Sequence, residues 1–598
     1  MTLFQSLQRL FICGIEEKKR AYISLAMVPV MAMAGFLEPI FLKRAVDLGA
    51  AEKNVSVFVT YVLFFIALKI ALYGFQVLQM ICFRKFICAC IKNMRMKLTA
   101  HILKQKMSFH DGVPSSHLHS RSTHDLAAMS GAVSVGVLKL LVEFVSLFGS
   151  FIALFTMEAT LSLVVLVAMI LGVLFTRYTT RSVKVLSLRC STLAAQKKFC
   201  LHESLYLLKT VKLYALEKIQ FQKFKNITSK LRKTLVQHYL TFLVGSHTVT
   251  LLSSLSVGLI LYFIAYKMFG ITTINPGTLV VFIHIVRQIF SPMIYFNSTI
   301  QSLQTFFVNC QRVQEVFSLN HVIEGNQPLT STQPDITFDK VNFGYERISS
   351  FFDTETKDKT KQNGLSSLSS KKVLKNVSFK VPYGSFYGIA GITGSSKSTI
   401  AKLLVKLYDG YRGSIKLADQ ELRDLDPVSV QNHIALINQK VTLFSGSIAY
   451  NIGLGKKEAT LDEIYNAAKK ARAHDFIMQL DHGYDYEISE EGANLSQGQK
   501  QLISLARALC QNASIMIFDE VTSALSPEIE SQITEAMKSL QHTRTLIIIA
   551  HHLHTLAYCD EILVLRDGEV VEKGHHRKLI AQKRHYYELY NSSSKMSS

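Results

Sequence analysis

At 598 residues the chain is too long for a single hydrophobic core. It is 49% hydrophobic with a mean hydropathy of +0.22, more apolar than a soluble protein of this size needs to be, so a membrane portion is expected. The net charge of +22 is uneven: residues 1–330 carry 34 basic and 13 acidic side chains, the remainder 32 and 31, and the basic excess belongs to the N-terminal half.

Nine cysteines without a C-x-x-C spacing indicate neither a zinc site nor a disulfide framework, and fit a reduced setting. In chain order, Leu3, Phe4, Leu7, Leu10, Phe11 and Ile12 recur at helical spacing, which makes residues 1–20 a cytoplasmic elbow helix along the membrane surface, stopped by Glu16-Glu17-Lys18-Lys19-Arg20. The apolar segment from Ala21 is too long for a secretory signal and lacks a small-residue cleavage site; it reads as a first transmembrane helix.

Six stretches are apolar enough to span: Ala21 to Phe41, Val57 to Phe83, Val137 to Met157, Ala159 to Phe175, Tyr239 to Phe269 and Leu279 to Ile300. Residues 21–320 therefore read as an all-α, six-helix membrane domain. The connections 84–132 and 177–238 are long and rich in Lys/Arg, so the positive-inside rule places both, and both termini, in the cytoplasm. Either they continue the membrane helices into the cytosol or they are basic loops that only orient the topology.

Ionisable groups at membrane depth are costly and face a cavity or a partner. Lys69, Lys139, Glu143, His247, His284 and Arg287 are of this kind. Lys139 and Glu143 stand four apart, a spacing suited to an ion pair on one helix face. Lys69, His284 and Arg287 have no such local partner, and are the candidates for contact with an anionic substrate, snorkelling to the interface being the alternative.

Residues 321–335, with Gly325-Asn326-Gln327-Pro328, read as a linker to a second domain over 336–598. Within it, residues 347–372 are rich in Ser, Lys, Thr and Asp and read as a disordered insertion. Gly391-Ile392-Thr393-Gly394-Ser395-Ser396-Lys397-Ser398-Thr399 follows an apolar strand and opens a helix, the order of a phosphate cradle. Its backbone N–H groups would face phosphate, Lys397 would neutralise charge, and Ser398 could hold Mg²⁺. Ser514 to Phe518 is a buried strand delivering Asp519 and Glu520, able to hold the Mg²⁺ shell and polarise water respectively. Leu546 to Ala550 is another, delivering His551. Asn494-Leu495-Ser496-Gln497-Gly498-Gln499-Lys500 opens a helix, a second anion-binding end.

With that last stretch the set resembles the ATP-binding cassette transporter family, the Leu-Ser-Gln-Gly-Gln run being its signature. The resemblance implies an exporter-type half-transporter: a six-helix membrane domain fused to an α/β P-loop ATPase, using ATP and Mg²⁺. It implies Tyr345 against adenine, Gly391 to Thr399 on the phosphates, and Ser398, Gln439 and Asp519 around magnesium. Glu520 would be the general base with His551 and Gln439 beside it, and Ser496, Gln497, Gly498 and Gln499 would meet the nucleotide of the opposite subunit. Short coupling helices near His117 to Asp125 and Leu208 to Glu217 are implied beside Gln439.

Three positions depart from the family pattern: Ser396 stands for a glycine, Ser526 for an aspartate, and Ser489-Glu490-Glu491-Gly492 lacks an arginine. The expected activity is ATP-driven export of an amphipathic or lipid-like substrate or drug by a homodimer in the plasma or inner membrane. A heterodimer, an importer and an ATP-gated channel remain as alternatives. Six spans exclude a soluble cassette ATPase acting on nucleic acid.

Overall fold

The computed structural model describes residues 17–51, 55–113, 115–157, 159–269, 276–318, 325–345, 372–392, 394–521, 527–541, 543–550 and 553–596. The elbow segment 1–16 and nearly all of the Ser/Lys-rich stretch 347–372 lie outside them. Contacts divide the chain into two units, Met1–Leu103 with Ser116–Leu319, and Lys104–Ser115 with Asn320–Ser598.

Helices in chain order before the linker are α1 (Lys18–Arg44), α2 (Val55–Leu103), the short α3 (Met107–Gly112), α4 (Leu126–Met157), α5 (Ala159–Tyr206), the short α6 (Leu208–Leu213), α7 (Glu217–Phe269) and α8 (Pro276–Ser318). At 1.5 Å per residue the 53 residues of α7 reach about 80 Å, far beyond a hydrocarbon core of about 30 Å. The basic connections are therefore largely the continuation of membrane helices, which decides between the two sequence-level alternatives. Among the described residues, Val55–Leu103, Ser162–Tyr206 and Glu217–Phe263 are long and apolar enough to cross a membrane, and Val142–Thr156 and Gly277–Pro292 are shorter apolar stretches.

The helices pack in pairs, α1 on α2, α4 on α8 and α5 on α7. Phe86, Leu98, Leu126, Phe306 and Val316 close one buried cluster, and Leu154, Val165, Ile260, Phe282 and Phe290 another. Outside these, Leu63, Phe64, Ile70, Leu163, Val167 and Leu171 are exposed. Apolar side chains turned outward suit lipid rather than water.

In the second unit, β1 (Ile336–Phe343), β2 (Leu374–Val381), β4 (Arg412–Leu417) and β5 (Gln420–Glu421) form an antiparallel sheet in the order β2-β1-β4-β5. Phe338 on β1 stacks on its β2 partner Phe379 at 4.5 Å. The other sheet holds β3 (Phe386–Gly391), β6 (Ile434–Ile437), β7 (Ile515–Asp519), β8 (Thr545–Ile549), β9 (Glu561–Arg566) and β10 (Glu569–Gly574). Its order is β10-β9-β3-β8-β7-β6, parallel except for β10. Every residue of β7 and β8 is buried, as expected for parallel strands covered on both faces. Helices α9 (Lys397–Leu404), α10 (Gln497–Gln511) and α11 (Pro527–Ser539) belong to this unit. Ligands of such sheets bind where the strands end in carboxyl-terminal loops.

Residues Lys104–Ser115 group with this second unit, not with the membrane helices on either side of them in sequence. Phe109 of α3 is fully buried, Lys106 Nζ lies 2.5 Å from Asp409, and the Tyr408 hydroxyl donates to Asp111. Met107–Gly112 is thus a short helix of the cassette unit, whereas Ser116 to Asp125 groups with the membrane helices and ends in a π-helical turn, Arg121–Asp125. Burial and the neighbouring Asp111 carboxylate both keep the Tyr408 phenol protonated, far above its usual range.

Tyr408→Phe should loosen this docking by about 1 kcal/mol, the low end for a hydrogen bond to a charged group because Asp111 is exposed. Amide hydrogen exchange across residues 107–112 should speed up several-fold by the same reckoning. Unchanged protection there would show that the hydroxyl does not hold the segment.

Candidate functional site

β3 runs straight into the phosphate loop. A Cβ at Gly391 would stand 2.5 Å from both the Leu565 carbonyl oxygen and Ser395 Oγ, so no side chain fits there. Gly394 has φ +84° with open space around it, leaving its backbone approachable. Ser396 takes φ +77°, a left-handed value that costs an L-residue roughly 1–2 kcal/mol. Its hydroxyl donates to the Val373 carbonyl at 2.9 Å, which offsets part of that strain and commits the side chain to the neighbouring strand.

Lys397 is buried and folds back to donate to the carbonyls of Gly391 at 2.8 Å and Ile392 at 3.1 Å. Burial lowers its pKa, while Glu520 and Asp519 act the other way. Ser395 Oγ, on a residue only 1% exposed, has no hydrogen-bond partner. A buried unsatisfied hydroxyl, a folded-back ammonium and a glycine loop at a helix start are a donor set that a polyphosphate fits.

Pairing brings the remaining groups to the same level. Ile549, the last residue of β8, is opposite Ile389 on one side and Asp519 on the other. Asp519 Oδ1 accepts from the Ser398 hydroxyl at 2.9 Å, and burial raises the Asp519 pKa. A hydroxyl and a buried carboxylate side by side fit a hard divalent cation. Glu520 has φ +54°, and its N–H donates to the Ile549 carbonyl at 2.9 Å. A strained non-glycine backbone directly after a buried strand turns the chain out of the sheet, as functional carboxylates often require. Thr393, His551 and Ser526 lie outside the described residues.

Tyr345 bonds through its hydroxyl to Thr399 Oγ1 at 3.0 Å and packs edge-on against Phe343 and Tyr408 at 5.1 and 5.0 Å. Gln439 is exposed, and its backbone carbonyl faces Gln501 Nε2 at 3.4 Å. Ser496 and Gln499 form a reciprocal capping box at the start of α10. Ser496 and Gln497 are exposed, whereas a Cβ on Gly498 would meet Ile529 of α11 at 2.1 Å. Where an arginine is missing before this helix, Lys500 donates to the Glu491 carbonyl at 3.0 Å and Asn494 ties Ser489 to Glu487.

In the membrane unit Lys69 and His284, which have no local partner in the sequence, share a distant one. Both reach Glu38 of α1, a residue 5% exposed that sequence reasoning passed over: Lys69 as an ion pair, His284 Nε2 at 3.0 Å. Two helices thus bring a lysine and a histidine within ion-pair distance of one oxygen, Oε1, of a buried carboxylate. Arg287 is exposed and outside this cluster.

Residues 374–523 match the family described as ABC transporter, and residues 22–293 the ABC transporter transmembrane region. An ATP-dependent lipid A-core flippase of Sodalis glossinidius is 31% identical over 84% of this chain and 82% of its own length. The chain belongs to the ABC transporter family. A second protein named ATP-dependent lipid A-core flippase, from Desulfotalea psychrophila, is 29% identical over 99% of this chain and 100% of its own. A solved bacterial Atm1-family ABC exporter with ATP bound superposes with a TM-score of 0.80 at 25% identity, over 96% of this chain and 99% of that one. This ABC protein is therefore an exporter-type half-transporter, an ATP-hydrolysing integral membrane protein carrying one transmembrane region and one cassette.

The geometry at Ser396 separates strain from bonding. Ser396→Ala keeps the Cβ at positive φ but loses the bond to Val373, and should destabilise the cassette by about 1 kcal/mol. Ser396→Gly loses the bond but also the strain, and should be within about 0.5 kcal/mol of the parent. Thermal unfolding of both variants checks this; equal losses would show that the backbone strain is not felt.

Proposed function

We propose that two copies of this chain form a homodimeric exporter that moves an amphipathic, lipid-like substrate out of the cytoplasmic leaflet of the plasma or inner membrane, with both termini and cassettes cytoplasmic. The observation that carries the dimer is the start of α10, where Ser496 and Gln497 are exposed at a helix N-terminus, an anion-binding end. The partner's nucleotide is the anion that suits it. Support for a lipid-like substrate comes from the two relatives named lipid A-core flippases and from the outward apolar faces of α2 and α5.

Each residue then has a task. On nucleotide binding Lys397 exchanges its own loop carbonyls for phosphate oxygens, and Ser395 gains the partner it lacks. Ser398 and Asp519, with Gln439, would hold Mg²⁺, which would supply charge neutralisation for a transferring phosphoryl group. Glu520 accepts the proton of the attacking water, and His551 orients the same region. Tyr345 offers its ring to the base. Closure of two cassettes over two nucleotides is passed on through α3, and hydrolysis releases it.

The purified chain alone, in lipid nanodiscs, should hydrolyse ATP. Glu520→Gln should cut turnover by about 10²-fold or more, the usual worth of a general base, while retaining ATP. Near-normal turnover in that variant would remove Glu520 from its role, and a chain inert until a second cassette subunit is supplied would replace the homodimer with a heterodimer.

A further inference from the structure

Residues 438–447 join β6 to the short helix Ile448–Gly453 and carry Gln439. Side chains of α10 reach this loop at both ends, and they hold the two ends very differently.

At the far end the fully buried Asn451 side chain donates to the carbonyls of Phe444 at 2.8 Å and Ser447 at 3.1 Å, and accepts from the Phe444 N–H at 3.0 Å and from Arg507 Nη2 at 2.9 Å. Arg507 of α10 also donates through Nε to the Asn451 carbonyl at 2.8 Å and through Nη1 to the Thr442 carbonyl at 3.4 Å. Two donors and two lone pairs are all that an asparagine amide has, so this end is saturated.

At the near end α10 contributes Gln501, which is 1% exposed. Its Nε2 donates to the Gln439 carbonyl at 3.4 Å, beyond the usual span of such a bond, and its Oε1 is buried without a partner. A bare buried amide oxygen costs more than the long bond beside it returns. Leu502, Ile503 and Leu505, next along α10, are core residues, so an apolar side chain would suit the packing and leave no such oxygen. The Gln439 side chain itself is exposed.

We propose that Gln501 is a positioning residue for the metal-dependent step: it sets the resting place of the Gln439 loop, and its bare Oε1 takes an N–H of that loop when the Gln439 side chain turns to a divalent cation held by Ser398 and Asp519. The saturated end at Asn451 makes the loop pivot there, and Gln501 exchanges a donor contact for an acceptor contact as Gln439 moves. An amide suits the task because it carries a donor and an acceptor on one planar group. The inference rests on the reading of Gln439 given above and deepens it by naming the residue that places it.

Gln501→Met keeps nearly the length and volume of the side chain and removes both polar atoms. In the full chain in lipid nanodiscs it should leave the unfolding temperature unchanged or slightly raised, since a bare buried oxygen goes with it. The Mg²⁺ concentration for half-maximal ATP hydrolysis should rise about three- to fivefold, the low end for one hydrogen bond, and kcat should fall. Binding of trinitrophenyl-ATP without divalent cation should stay within about twofold of the parent, because the phosphate loop is untouched. Gln501→Leu, a second apolar replacement, should behave alike. Ile503→Val, a core truncation two residues along α10, should lower the unfolding temperature and leave the Mg²⁺ response alone.

An unchanged Mg²⁺ response in both Gln501 variants, with Gln439→Ala raising it, would overturn the proposal. So would metal-free nucleotide binding weakened in step with hydrolysis, the same Mg²⁺ shift in Ile503→Val, or loss of folding in both Gln501 variants, which would make the residue structural. A Gln439→Ala variant with the parent's Mg²⁺ response would instead remove Gln439 from the metal reading, and this inference with it.

Discussion

The nucleotide-binding end of the cassette is organised by buried charge that the protein alone satisfies poorly. Lys397 and Asp519 are both buried, and in both burial disfavours the charged form. Lys397 leans on two carbonyls of its own loop, Asp519 on one serine hydroxyl, and Ser395 on nothing. Folding carries this cost because parallel strands β3, β8 and β7, rich in Ile and sealed on both faces, hold the three segments at one level. A phosphate chain with a divalent cation would give Lys397, Asp519 and Ser395 the partners that the chain alone does not supply.

The membrane unit treats its charges differently. Glu38 is met by Lys69 and His284 from two other helices. A carboxylate approached from two helices suits a structural tie among α1, α2 and α8. Within the second unit Tyr345 packs on Tyr408, and Tyr408 bonds Asp111 of α3.

Much of this architecture was legible from sequence because its signals are local. The phosphate loop is nine contiguous residues after a strand, and the six apolar runs are long enough to stand out from any background. What escaped notice is nonlocal or conformational. Glu38 is 31 positions from Lys69 and 246 from His284, so no spacing rule links them, and its place near the end of an apolar run hid its burial. Met107–Gly112 is six residues of mixed character, too short for periodicity to show, and the bond from Tyr408 to Asp111 reveals its allegiance. At Ser396 the departure from glycine was visible, but not the left-handed backbone or the bond to Val373 that makes it tolerable.

The central claim is that each nucleotide is enclosed by the phosphate loop of one chain and the Ser496–Gln499 helix start of another. It can be tested directly in mixed dimers purified by two different affinity tags. One chain carries Lys397→Ala and the other Ser496→Arg, each inactive as a homodimer. If the sites are shared between subunits, the mixed dimer contains one site with both parts intact and regains ATP hydrolysis. If each chain completes its own site, both sites in the mixed dimer remain broken, and absence of hydrolysis would contradict the account.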